Sequence, residues 1–74
     1  MSQKVSIVIE RDVHGFYAYS PELPGCQTQA RTLDEAVERI KEAIELYLET
    51  LSPEEREAYL SKEILTTSIE VNVA

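Results

Sequence analysis

Short runs in which apolar and polar residues alternate occupy the first thirty positions of the chain. In the clearest run, Val5, Ile7 and Ile9 lie on one side and polar residues share the other side with Val8, which is the period-two pattern of a strand. Gly15 ends the predicted hairpin loop of residues 11–15, because glycine adopts a positive φ without steric cost. The pattern predicts three strands, over residues 4–10, 16–20 and 26–31.

A corner rich in proline separates the second predicted strand from the third. Pro21 and Pro24 each remove a backbone donor and fix a φ angle, and Gly25 follows directly. Strand pairing must therefore pause here while the chain changes direction. Cys26, just after the corner, is expected to be a small buried residue. It is not expected to act as a nucleophile, since nothing in the sequence lowers its thiol pKa.

The middle of the chain predicts a long amphipathic helix. Thr32 and Glu35 form a capping-box pattern, in which the threonine hydroxyl accepts from the Glu35 amide and the carboxylate reaches back to the Thr32 amide. At about 100° per residue, nine apolar side chains fall within one arc of roughly 140°. These are Leu33, Ala36, Val37, Ile40, Ala43, Ile44, Tyr47, Leu48 and Leu51; the opposite side carries Glu38, Glu42, Glu45 and Glu49.

The last third of the chain predicts a short helix and a closing strand. Ser52 is placed as an N-cap with Pro53 in the first helical position, for a helix that ends near Ser61. Residues 68–73 alternate again, like the first strand. The expected fold is α+β, β-β-β-α-(α)-β, with a four-stranded mixed sheet in the order 3-2-1-4 and the long helix packed on one face. The other face should carry Val8, Tyr17 and Tyr19, and aromatic residues on an uncovered face suggest self-association.

Length and charge limit the function. The 74 residues are expected to form one domain, 1–74, and the net charge of −7 opposes the phosphate backbone of nucleic acids while favouring encounter with a basic protein. The single cysteine excludes an internal disulfide, and no Cys/His spacing suggests a zinc site, so no cofactor is expected. The chain shows no signal-peptide or membrane-span pattern, which predicts a cytoplasmic protein.

Besides a protein that binds a basic partner, two hypotheses from other functional classes remain open. Glu10, Asp12 and His14 lie near the first hairpin and could belong to a metal-dependent nuclease or hydrolase, although such a site needs more carboxylates than the strand ends supply. The second hypothesis is a homo-oligomeric structural or ligand-binding module. It rests on the uncovered sheet face and on an unpaired edge strand.

A specific resemblance adds to this picture. The segments FYAYSPELPGCQT (residues 16–28) and TLDEA (32–36), the helix that ends AIELYL (43–48) and the terminal IEVNV (69–73) together resemble the HicB-type antitoxin family. The resemblance implies a truncated ribonuclease-H-like fold without the nuclease carboxylates. It also implies a non-enzymatic antitoxin that binds a small basic messenger-RNA interferase of the HicA type. Because the family commonly carries a further C-terminal DNA-binding domain, we expect this chain to represent the toxin-facing part without it.

Partner contact is expected at two places. The four glutamates of the long helix, Glu38, Glu42, Glu45 and Glu49, complement a basic surface. Glu22 and Leu23, at the proline-rich corner, are the second candidate, because loop residues frequently make binding contacts.

Overall fold

Five elements follow one another in the computed structural model, which describes residues 3–74. They are β1 (Val8–Asp12), β2 (Gly15–Tyr19), β3 (Gln27–Ala30), α1 (Leu33–Glu49) and α2 (Pro53–Tyr59). The three strands form an antiparallel sheet in the order β1-β2-β3, and α1 packs against β2 and β3. The predicted α+β class is therefore confirmed, as is the succession of three strands and two helices.

A two-residue loop joins β1 to β2. Asp12 lies opposite Gly15, and the Asp12 Oδ1 atom accepts a hydrogen bond of 2.8 Å from the backbone N–H of His14. Gly15 has φ +128°, and a Cβ atom there would come within 2.6 Å of the carbonyl oxygen of Ala30. The close approach of β3, as well as the turn itself, therefore requires glycine at this position.

Two successive β-turns form the corner between β2 and β3. The Leu23 N–H donates to the Ser20 carbonyl (3.4 Å), and the Cys26 N–H donates to the Leu23 carbonyl (3.1 Å). Each turn has proline in its second position, and Gly25 at φ +80° supplies the positive φ that a type II turn needs. A further bond from the Ser20 N–H to the Cys26 carbonyl, 3.0 Å long, closes the corner. The predicted pause in strand pairing is confirmed.

Both helices begin at the predicted caps, but only one cap is reciprocal. Thr32 Oγ1 accepts from the Glu35 N–H at 3.1 Å, whereas the Glu35 carboxylate pairs with Arg39 at 2.8 Å instead of reaching back to Thr32. In α2 both halves of the capping box form, between Ser52 and Glu55. Arg39 also donates to the Gln29 carbonyl of β3 at 2.8 Å, which ties α1 to the sheet.

The core lies between the sheet and α1. Its seven buried residues come from β2, the corner, β3 and α1; they are Ala18, Leu23, Cys26, Ala30, Ala36, Ile40 and Ile44. Leu23 and Ile40 are the largest side chains that are fully buried. The second helix adds Tyr59, whose ring meets the Tyr47 ring edge-on with centroids 6.3 Å apart. The sheet, the corner and α1 thus form one small core, against which Tyr59 and Leu60 pack from outside.

The predicted fourth strand is wrong in this structure, and with it the 3-2-1-4 order and the mixed sheet. Residues 68–73 have no regular secondary structure, and Ile69, Val71 and Val73 are 79%, 69% and 88% exposed. Alternation makes a segment compatible with a strand, but the strand forms only when its backbone finds a partner. Here the segment lies away from the core of its own chain.

The two glycines of the chain, Gly15 at the start of β2 and Gly25 in the corner, give a test of this geometry. Gly15→Ala should lower the free energy of unfolding by roughly 2–3 kcal/mol, since it combines an unfavourable φ with a backbone clash. Gly25→Ala is the matched control: its added Cβ meets nothing within 4 Å, so only the positive φ opposes it, at about 1 kcal/mol. Urea unfolding of both variants measures the difference. Equal losses would show that the approach of β3 to Gly15 is not as described.

Candidate functional site

A row of carboxylates runs along the side of α1 that faces away from the sheet. Glu38, Glu42, Glu45 and Glu49 are all exposed, at spacings of four, three and four residues, which place them on one side of the helix. We call these four residues the acidic ridge. Leu46, the residue that falls outside the apolar arc of the helix, is 65% exposed beside it. The ridge thus combines negative charge with one apolar contact point.

The second helix lies against the C-terminal end of the acidic ridge. A shallow surface depression is lined by Glu42, Glu45, Leu46, Leu48, Glu49 and Arg56. Arg56 is the basic residue among them, and its Nε donates to the Leu48 carbonyl at 2.9 Å, near the C-terminus of α1. Over residues 34–63 the chain carries ten acidic and four basic side chains. A partner that approaches the helices therefore meets a predominantly negative surface.

The other two residues predicted to meet a partner lie inside the fold. Leu23 is 0% exposed in the core, and Glu22 is 4% exposed. Glu22 Oε1 accepts a hydrogen bond of 2.7 Å from the backbone N–H of Ser6, so the carboxylate holds the segment before β1 against the corner. The structure therefore assigns both residues to the interior rather than to an accessible surface. Loop position alone did not reveal this burial.

The three residues predicted on the uncovered sheet face do share that face. The register pairs Val8 with Tyr19 and Glu10 with Tyr17, on the side of the sheet away from α1. The two tyrosine rings are 5.6 Å apart, and the Tyr17 hydroxyl donates to Gln27 Oε1 at 2.8 Å. All three side chains are partly exposed. They form an aromatic patch with a polar border.

The residues of the nuclease hypothesis do not assemble a metal site. Within residues 3–74, no group of three or more His, Cys, Asp or Glu side chains is placed to hold a metal ion. The small cavity beside Asp12 and His14, about 40 Å³, is completed by Gly15, Phe16, Tyr17 and Gln29. Asp12 already accepts from the His14 backbone, which is a turn-forming role. The geometry gives the metal-dependent hypothesis no support.

Two residues, one in the core and one packed against it, have raised pKa values. Burial raises the pKa of the Cys26 thiol above its ordinary value, so the thiol stays protonated at neutral pH and is a poor nucleophile. Desolvation, followed by its contact with Tyr59, raises the pKa of Tyr47 above 10.0. Both shifts are of the kind that packing produces.

An apolar groove lies between α1 and the segment that precedes β1, and sequence patterns did not identify it. It has a volume of about 520 Å³ between the segment before β1 and α1. We call it the edge groove; it is lined by Gln3, Val5, Ile7, Val37, Ile40, Lys41, Ile44, Glu45 and Leu48. Ile7 and Val37 are 37% and 41% exposed there. The groove was not predicted because the expected order 3-2-1-4 placed a fourth strand there.

Comparison with known proteins identifies the class to which this fold and its acidic surface belong. The family model described as "HicB_like antitoxin of bacterial toxin-antitoxin system" matches residues 5–72. This chain belongs to that family of HicB-like antitoxins. Family membership, rather than any feature of the surface, supports an antitoxin role without catalysis and implies a toxin as partner.

Several curated relatives have similar sequences. A UPF0150 protein of Archaeoglobus fulgidus is 64% identical over 47 residues, covering 62% of this chain and 68% of the relative. A UPF0150 protein of Helicobacter pylori is 48% identical over 58 residues, covering 78% and 79%. One from Thermoplasma acidophilum is 47% identical over 49 residues, covering 65% and 71%. No solved structure matches the chain.

None of the helices in residues 3–74 has the length and apolar character needed to cross a membrane.

The raised pKa values predict a loss of stability at alkaline pH. Both groups bind their protons more tightly in the folded chain, so their contribution is complete below the unfolded pKa values and is lost as the pH rises through the folded ones. The free energy of unfolding should therefore fall as the pH rises above about 9. Urea unfolding at a series of pH values measures this. In Cys26→Ala the decline should begin later, near the tyrosine range, and an unchanged profile would exclude a contribution from the thiol.

Proposed function

We propose that this protein binds and neutralises a small basic messenger-RNA interferase of the HicA type. Membership of the HicB-like antitoxin family supports the toxin partner, and the acidic ridge supports its basic character. The proposed contact surface is Glu38, Glu42, Glu45 and Glu49 around the exposed Leu46. A partner enzyme that binds RNA must present a positive surface, and the ridge would compete with RNA for that surface.

The carboxylates and Leu46 are expected to contribute to binding in different ways. Carboxylates at the border of an interface mainly accelerate encounter, and salt weakens their effect. Leu46 supplies the apolar contact that lengthens the life of the complex, because it is withdrawn from water on binding. The negative net charge also disfavours direct binding of nucleic acid by this chain. Inhibition through occlusion needs no catalytic group on the antitoxin.

The proposal has three further parts. We propose a cytoplasmic location, which fits an RNA-cleaving target and the single unpaired cysteine. We propose that the meander and α1 are the core of a truncated ribonuclease-H-like fold. We also propose that the protein is a homo-oligomer in which Val8, Tyr17 and Tyr19 are accessible for contact between copies. Pro21, Pro24, Gly25 and Cys26 shape the corner, while Thr32 and Glu35 begin α1; none of these six is proposed to bind the toxin.

The experiment uses the product of an adjacent small basic reading frame as the partner. The purified chain should bind it at low salt and inhibit its RNA cleavage. Replacing Glu42 and Glu45 by glutamine should raise Kd about fivefold, since two exposed ion pairs contribute roughly 1 kcal/mol together. Most of the change should be a slower association that depends less steeply on salt.

The matched control has the same change of charge elsewhere. Glu10→Gln combined with Glu63→Gln also removes two exposed carboxylates, from β1 and from the segment after α2. Its Kd should stay within experimental error of the unchanged chain. Equal effects of the two double variants would show that overall charge rather than the acidic ridge governs binding. Lack of any binding at low salt would reject the proposed partner.

A further inference from the structure

The C-terminal segment of the chain has the composition of a strand but lacks a partner within its own chain. We call residues 68–73 the tail strand. Its β-branched residues Ile69, Val71 and Val73 alternate with polar ones and are 69–88% exposed. Strand-forming segments with one apolar side are stabilised when that side is buried against a core. The tail strand is therefore an unsatisfied element.

The dimensions of the molecule show that the tail strand projects from the body. The radius of gyration is 14.5 Å, whereas a compact domain of this length has about 11 Å. The longest axis is 48 Å and the other two are 28 and 19 Å. Since ten extended residues span roughly 33 Å, a projecting tail accounts for the elongation.

The edge of the sheet next to the edge groove has free backbone groups. The Ser6 N–H points towards the corner, where it binds Glu22, and Val8 and Glu10 pair with β2. Because hydrogen-bonding direction alternates along a strand, the N–H and C=O groups of Ile9 and Arg11 in β1 point to the outer edge. Val5 and Ile7 precede β1 on either side of Ser6, whose N–H points the other way, so extending β1 to them would put their backbone groups on the same outer edge. Among residues 3–74, no strand pairs with that edge.

The edge groove and the tail strand are complementary. The groove presents apolar side chains, including Val5, Ile7 and Val37, beside a row of free donors and acceptors. A strand laid there places alternate side chains into the groove and the others on the aromatic side of the sheet. On that side the strand brings Glu70, and the segment before β1 carries Lys4, so the charges are opposite.

We propose that the tail strand of one chain pairs with the outer edge of β1 in a second copy and fills its edge groove, with the exchange made in both directions. The projecting tail favours a second copy over a return to the same chain. Reciprocal exchange also satisfies two grooves at once under two-fold symmetry. Because two tails enter two grooves, the total surface area buried in the dimer can reach the ~1,200 Å² of a stable interface although each tail is short. This inference does not rest on the proposed toxin.

A charge placed on the apolar side of the tail strand tests the pairing. The unchanged chain should be a dimer by analytical ultracentrifugation, and Val71→Asp should raise the dimer Kd at least about a hundredfold, since each dimer loses two buried valines. Asn72→Asp introduces the same charge next door on the other side, and should change Kd less than about threefold. At concentrations low enough for both variants to be monomeric, their circular dichroism should be the same, because the tail lies outside the core.

A second measurement distinguishes exchange from a tail that folds back. In a mixture of isotope-labelled and unlabelled chains, filtered NOE spectra should show contacts between chains from the methyl groups of Ile69 and Val71 to those of Val37 and Ile44. Contacts only within one chain, or a monomer at every concentration, would overturn the proposal. So would a dimer that Val71→Asp leaves intact, since that dimer would use another surface. Toxin binding plays no part in either readout.

Discussion

The burial of Leu23 is the constraint on which the rest of the fold depends. Its side chain is fully enclosed, although it lies in a five-residue corner between two prolines. The two turns around it set the direction in which β3 leaves, and β3 in turn determines where α1 can pack. The preset φ angles of Pro21 and Pro24 reduce the entropy that this corner loses on folding. A local backbone preference thereby positions a long-range core contact.

The two sides of α1 divide its tasks. One side contributes Ala36, Ile40 and Ile44 to the core, and the other carries the acidic ridge. Because the ridge makes no demand on the core, its charges can match a partner without affecting packing. The small size of the chain makes this separation valuable, since a domain of this length has few contacts to spare. The Arg56 side chain of α2 lies against the C-terminal end of α1, where its Nε donates to the Leu48 carbonyl.

Local signals in the sequence predicted most of the elements, and non-local contacts explain the failures. Gly15, Thr32 and Ser52 mark boundaries through their own conformations or hydrogen bonds, so the hairpin and both helix starts followed from the pattern. Glu22 and Leu23 occupy a loop, and only the way the loop folds over the core reveals that they are buried. The prediction of a fourth strand at residues 68–73 failed for a related reason. Alternation can be read from a single segment, whereas strand pairing depends on two segments. The edge groove is open because that fourth strand is not paired beside β1, and no pattern within α1 or β1 predicts it.

The two edges of the sheet differ, and the difference determines how far strand addition can extend. On β3, the Gln29 carbonyl, which faces outward, already accepts a hydrogen bond from Arg39, and α1 crosses close by. A sheet with two equally open edges can add molecules without limit and grow into a fibre. Among the residues that the structure describes, the β1 edge has no such side chain on its outward backbone groups, whereas an incoming strand at β3 would have to displace Arg39 from the Gln29 carbonyl. Strand addition should therefore favour the β1 edge over the β3 edge.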